Sequence, residues 1–173
     1  MKKPLFIFLL ICVGCLFLYL YIDEKTFTPL KEKEFKMIFF NYRDEAVKVC
    51  GVDFLGLNFK GELFDFYLYK MKNSSINMDY PQIKSEWEGR KLDSTVSVSK
   101  WRNCPIDSVT TKLYMFLLTM NDFNGQACSS SFYKELDNPR NYYSYIYINE
   151  LENYFLLYCV DKGHFYYIRH KGF

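Results

Sequence analysis

An uninterrupted apolar run behind two lysines constrains this chain more than any other feature. Residues 5–22 contain no charged side chain, and Lys2 and Lys3 stand close before them. At about 1.5 Å of rise per residue, a helix over this run is roughly 27 Å long, close to the hydrocarbon thickness of a bilayer. The run therefore predicts a single transmembrane helix, and we expect residues 1–22 to anchor the chain.

Two alternatives to an uncleaved anchor stay open for this segment. The sequence CVGC at residues 12–15 resembles the site at which bacterial lipoproteins are cleaved and lipidated, which would make Cys15 the mature N-terminus. A cleaved secretory signal is the other alternative, although its apolar region usually has about 7 to 15 residues. The chain stays apolar after Cys15, whereas a lipidated cysteine normally begins a polar tether. The uncleaved anchor is therefore preferred.

The flanking charges predict the orientation of the segment. Positively charged residues stay on the cytoplasmic side of a membrane helix, and Lys2 and Lys3 precede the run. The Met-Lys-Lys start is typical of bacterial proteins. We therefore expect the N-terminus in the cytoplasm, the segment in the inner membrane, a charged tether at residues 23–35, and one periplasmic domain at residues 36–173.

The charge balance argues against nucleic acid as a partner. Without Lys2 and Lys3, the 22 basic residues fall to 20 and match the 20 acidic ones. A protein that binds nucleic acid is expected to carry a basic face or stripe. The exported part carries no excess of basic residues, so we expect no nucleic-acid partner.

Four cysteines beyond the apolar run support export. Cys50, Cys104, Cys128 and Cys159 are an even number in a region expected to be oxidising, which permits two disulfides in three connectivities. We favour Cys104 with Cys128, which bracket a predicted helix, and hence Cys50 with Cys159. The alternative is that some of them are buried thiols, a common fate of free cysteine.

Residues 36–173 predict an α+β domain rich in β-structure. Apolar periodicity of three and four residues indicates one main amphipathic helix at residues 105–121. Shorter helices are expected at residues 81–88 and 130–136. Early strands are predicted at the following residues: 36–41, 46–52, 54–59, 62–70 and 93–100.

The C-terminal third gives the strongest strand pattern. Residues 142–149, 154–161 and 164–171 are rich in aromatic and β-branched side chains and are joined by short polar connections. They predict a three-strand antiparallel meander. The expected fold is therefore a β-rich antiparallel sheet with the main helix on one of its faces.

The sequence contains no convincing catalytic or metal-binding motif. Cys128 follows Gln126 and Ala127 as in caspases, but both histidines lie downstream of it, where that chemistry does not expect them. Cys159, His164 and His170 offer three zinc ligands, whereas structural zinc uses four. The carboxylates Asp53, Glu62, Asp65, Glu86 and Glu88 are interpreted as solvated surface. We expect no cofactor, no metal and no catalysis.

A tyrosine-rich strand is the one candidate binding surface. Tyr143, Tyr145 and Tyr147 alternate along one strand and share a face, which Tyr167 and Arg169 could extend if the register allows. Such rings suit recognition because they carry apolar area and a hydroxyl. The alternative is cross-strand packing within the sheet.

These observations favour a membrane-anchored, periplasm-facing binding protein without catalysis, whose partner is another protein. Within that class, the size and layout suggest an immunity-type protein that neutralises an envelope-targeted toxin. A structural accessory subunit of an envelope or secretion complex is the first alternative. An envelope hydrolase is the second.

Overall fold

The structure is a computed structural model of the chain. It describes residues 2–26, 29–43, 46–55, 62–72, 75–114 and 128–172. Within these ranges the backbone forms four helices and nine strands, labelled here in chain order. The helices are α1 (Lys2–Thr26), α2 (Glu32–Ile38), α3 (Ser108–Leu113) and α4 (Phe132–Leu136).

Seven of the strands build one antiparallel sheet in the order β1-β2-β9-β8-β7-β5, with β6 pairing beside β5 on β7. The other two, β3 and β4, form a separate hairpin. The strands are β1 (Ala46–Asp53), β2 (Leu63–Met71), β3 (Glu86–Trp87), β4 (Arg90–Lys91), β5 (Ser97–Val98), β6 (Arg102–Asn103), β7 (Tyr142–Asn149), β8 (Glu152–Cys159) and β9 (His164–Lys171). The expected α+β fold with a large antiparallel sheet and few helices is confirmed, and so is the meander β7-β8-β9.

Both faces of the sheet are covered, because the central strands are apolar on both sides. On the first face, Phe132 of α4 packs edge-to-face against Phe66 of β2, Phe155 of β8 and Tyr166 of β9. Tyr114, which follows α3, adds its ring and donates its hydroxyl to the Tyr154 carbonyl at 3.1 Å. Strand β8 is therefore at the centre of the molecule, and all of its residues are buried.

The second face carries α2 and the β3-β4 hairpin. Phe35 and Phe39 of this helical region contact Phe165 of β9 at ring separations of 6.0 and 5.0 Å. Trp87 of β3 lies 6.0 Å from the ring of Tyr154 and 6.1 Å from that of Tyr167. The result is three layers, with the sheet in the middle.

Helix α1 is apolar over much of its length. Residues 7–19 are all exposed, and among them are bulky side chains such as Phe8 and Phe17. In the ranges that the structure describes, no helix combines the length and apolarity needed to cross a membrane. This differs from the transmembrane helix expected at residues 1–22.

Several local predictions are wrong, and tertiary packing explains why. The tether expected at residues 23–35 and the strand expected at 36–41 overlap helix α2, whose Phe35 and Ile38 are buried against the sheet. The helix expected at residues 81–88 is instead irregular backbone that leads into β3 and the turn after it. The main helix begins at Ser108, and residues 115–127 lie outside the described part, as do residues 56–59 of an expected strand.

The expected disulfide pairing is wrong. Cys50 of β1 is bridged to Cys128, with their Cα atoms 5.9 Å apart, and Cys104 and Cys159 are buried thiols. The sheet order separates β1 from β8 by three strand spacings, about 14 Å, which is beyond the ~7 Å that a disulfide can span. Cys104 follows β6, which pairs with β7 on the other side of the sheet from β1, and Cys128 is bridged to Cys50 instead.

Candidate functional site

A buried arginine lies at the centre of the second sheet face. Arg169 of β9 stands between Asp65 of β2 and Tyr154 of β8 in the strand register. Its Nη1 is 2.6 Å from Oδ2 of Asp65, and the two side chains are 8% and 0% exposed. The alternating pattern of β2 and β9 places both charged groups on the same face as Tyr67 and Tyr167.

A second carboxylate reaches Arg169 from the β3-β4 hairpin. Arg169 donates from Nε and Nη2 to Oε2 of Glu88, at 3.1 and 3.0 Å. The hydroxyl of Tyr167 donates to Oε1 of the same carboxylate at 2.8 Å. Glu88 therefore closes over the arginine from above, while Asp65 supports it within the sheet.

The backbone of the hairpin is shaped to deliver Glu88. Trp87 pairs with Arg90, and the two residues between them, Glu88 and Gly89, have φ values of +48° and +78°. Two successive positive φ angles define a type I′ turn, where Asn, Asp and Gly are usual. A glutamate there is strained at a cost of about 1 kcal/mol or more, which its contacts with Arg169 and Tyr167 offset.

Further ion pairs hold the hairpin against the sheet and α2. Arg90 pairs with the buried Glu152, which also accepts from the hydroxyl of Tyr154 at 2.9 Å. Lys33 of α2 lies 2.7 Å from Glu86 of β3. The ion pairs of Glu86 and Arg90 thus hold the hairpin on both sides of Glu88, which keeps the carboxylate of Glu88 beside Arg169.

The buried charges do not balance. Burial raises the pKa of Asp65 to about 7, although Arg169 opposes the shift, and the nearby Asp53 adds to it. Burial also raises the pKa of Glu88, against the opposing effect of Arg169, and the carboxylate of Glu34 adds to the rise. One guanidinium faces more carboxylates than it can neutralise.

A cavity of about 300 Å³ opens beside this network, between the first turn of α2 and the hairpin. Its walls come from the following residues: Pro29, Leu30, Lys31, Lys33, Glu34, Glu86, Glu88, Gly89 and Arg169. Glu34 is buried, and its Oε2 accepts from the N–H of Lys31 at 3.0 Å, so it caps α2 from inside the wall. The N–H of Leu30 donates to the hydroxyl of Tyr69 at 2.9 Å, which fixes the remaining wall on the sheet.

The five residues expected to form a partner-binding surface lie on two different faces of the sheet. Tyr143 is buried, Tyr145 and Tyr147 are half-buried, and all three lie on the first face of the sheet. The register pairs Tyr143 with Leu157 and Leu157 with Tyr166, so Tyr167 and Arg169 point to the second face. Of the five expected partner-binding residues, only Arg169 lines the cavity.

The buried thiols lie in an environment that suppresses their reactivity. Burial raises the pKa of Cys104 to about 12 and that of Cys159 further. The Cys159 thiol also donates to the carboxylate of Glu135, which adds to the rise. His164 is the cross-strand neighbour of Cys159, but its own pKa is lowered, mainly by burial. Among the described residues, no three His, Cys, Asp or Glu side chains could hold a metal ion together.

The sequence predicts solvated surface for two carboxylates of the site, whereas the structure buries most of both side chains. Asp65 is flanked by Phe64 and Phe66, and a charged residue within such an apolar strand is the sequence signal of a buried ion pair. Glu88 precedes Gly89 in a segment that the sequence pattern predicts as the end of a helix, and the structure has a turn there instead. No known protein family, curated protein or solved structure matches this chain.

Proposed function

We propose that this protein is a non-catalytic binding protein, held at a membrane by α1, whose ligand enters the cavity beside Arg169. The observation that carries the proposal is a partly open, charged cavity whose wall includes Arg169. Arg169 is fixed by Asp65 and Glu88, and recognition sites of this kind combine a formed cavity with a few placed polar groups.

Membrane attachment is supported by the side chains of α1. The exposed residues 7–19 are apolar around the whole helix, and such a helix lacks the polar face that water would require. Burying these side chains in lipid removes their apolar surface from water. The Cys50–Cys128 disulfide supports a domain in an oxidising compartment such as the periplasm.

The experiment is flotation of the full chain with phosphatidylcholine vesicles. We expect the wild type to float, and the double variant Leu9→Glu/Leu16→Glu to stay in the aqueous fraction. Val109→Glu is the matched control, because Val109 is an exposed apolar residue of α3 outside the proposed anchor. A wild type that stays in the aqueous fraction, or a double variant that floats as well as the control, would contradict membrane attachment.

A further inference from the structure

We infer that the cavity binds the primary ammonium group of an aminophospholipid headgroup, that of phosphatidylethanolamine, at the membrane surface. This inference rests on the proposed attachment of α1 to a membrane. It adds the chemical identity of the ligand and the residues that recognise it.

The position of the cavity in the chain brings it to the membrane surface. Helix α1 ends at Thr26, and the cavity wall begins at Pro29. Three residues span at most about 11 Å between Cα atoms. A lipid-embedded α1 therefore holds the cavity wall at the level of the headgroups.

The charges of the site favour a cation. Glu34 and Glu88 line the cavity, Asp65 lies behind Arg169, and all three are largely buried. Among the described residues, Arg169 is the single buried cation of this network, so one further positive charge in the cavity would improve its balance. A buried charge without a partner is costly, and an incoming ammonium removes part of that cost.

The hydrogen-bonding chemistry favours a primary ammonium over a quaternary one. A primary ammonium has three N–H donors, which the carboxylates of Glu34 and Glu88 can accept. The choline group has no N–H donor and is usually recognised by a cage of aromatic rings. The described residues that line the cavity include no aromatic side chain.

Two lysines at the rim favour a lipid over a protein side chain. Lys31 is exposed, and Lys33 is 58% exposed and paired with Glu86 at the surface. A headgroup carries a phosphate beside its ammonium, and the phosphate suits these lysines. A lysine side chain of a protein brings the ammonium alone, and the rim would repel it.

The test is native mass spectrometry of the full chain released from detergent with matched lipids. We expect phosphatidylethanolamine to be retained about tenfold more than phosphatidylcholine, since one charge-assisted hydrogen bond corresponds to that factor. Glu34→Gln should lower the preference to about one, because the amide can still accept from Lys31 but carries no charge. Glu150→Gln, an exposed change at the β7-β8 turn, is the matched control and should keep the preference.

Several results would overturn the inference. The inference is overturned if the wild type retains phosphatidylethanolamine and phosphatidylcholine equally. It is also overturned if the wild type retains anionic phosphatidylglycerol more strongly than phosphatidylethanolamine. If Glu34→Gln fails to fold, as judged by circular dichroism, Glu88→Gln replaces it. A lysine tripeptide that binds more tightly than glycerophosphoethanolamine would assign the cavity to a protein partner instead. If the wild type fails to float with phosphatidylcholine vesicles, the proposed membrane attachment of α1 is wrong. Flotation therefore tests the attachment, and the lipid preference tests the ligand of the cavity.

Discussion

The substitution Asp65→Asn tests the unbalanced charge of the buried network through the pH dependence of stability. The pKa of Asp65 is raised from 3.8 to about 7 in the folded protein, mainly by burial. At pH values between 3.8 and about 7, Asp65 binds more protons in the native state than in the unfolded state. The contribution of Asp65 to stability is therefore present at low pH and is lost as the pH rises through about 7.

The expected loss between pH 5 and pH 8 is about 3 kcal/mol, since each pH unit below the folded pKa is worth about 1.4 kcal/mol. The lowered pKa of His164 acts in the opposite direction, because the unfolded state then binds the extra proton. The amide that Asp65→Asn introduces cannot titrate. The titrations of Glu88 and His164 are present in both proteins, so the difference between the wild type and this variant reports mainly on the carboxylate of Asp65.

Urea unfolding of the full chain in mild detergent, followed by tryptophan fluorescence, measures this difference. Trp87 and Trp101 are 1% and 2% exposed, so unfolding changes their surroundings strongly. The free energy of unfolding of the wild type should fall by about 3 kcal/mol more than that of Asp65→Asn from pH 5 to pH 8. Asp79→Asn, at an exposed surface pair, is the control and should follow the wild type. If the free energies of unfolding of the wild type and of Asp65→Asn change equally between pH 5 and pH 8, the reasoning is refuted.

Three further substitutions test the network, the turn and the disulfide. Arg169→Leu leaves buried carboxylates without their cation, so urea unfolding should show a loss of about 3 to 5 kcal/mol; a loss below about 1 kcal/mol would contradict the ion pairs. Gly89→Ala meets open space but a φ of +78°, so the same assay should show a loss of about 1 to 2 kcal/mol, and no loss would argue against the type I′ turn. The double variant Cys50→Ala/Cys128→Ala opens a 78-residue loop and should lose about 2 to 4 kcal/mol. Non-reducing peptide mapping should join these two cysteines, and four free thiols would contradict both the bridge and the oxidising compartment.

The regular parts of the fold could be predicted from the sequence because their patterns are local. The segments of β7, β8 and β9 are rich in aromatic side chains and are joined by short polar connections, and the structure has strands there. Helix α2 was missed because seven residues of mixed charge give no clear period, and Phe35 and Ile38 are helical through their packing on the sheet.

The site could be predicted only in part, because it depends on register and pairing across the chain. The sequence indicates Arg169 as a binding residue, but it predicts the tyrosines of β7 as the neighbours of Arg169. The register brings Asp65 to it from 104 residues away, and the hairpin brings Glu88 from 81 residues away. Disulfide pairing failed for the same reason, since the strand order separates Cys50 from Cys159. The immunity-type role and the protein partner stay predictions.

A crystal structure of the full chain grown in a lipid mesophase doped with phosphatidylethanolamine tests the central claim most directly. The account predicts a headgroup in the cavity, with its ammonium within hydrogen-bond distance of Glu34 and Glu88 and its phosphate beside Lys31 or Lys33. A cavity without a headgroup in crystals whose lipid is resolved elsewhere on the protein would contradict it.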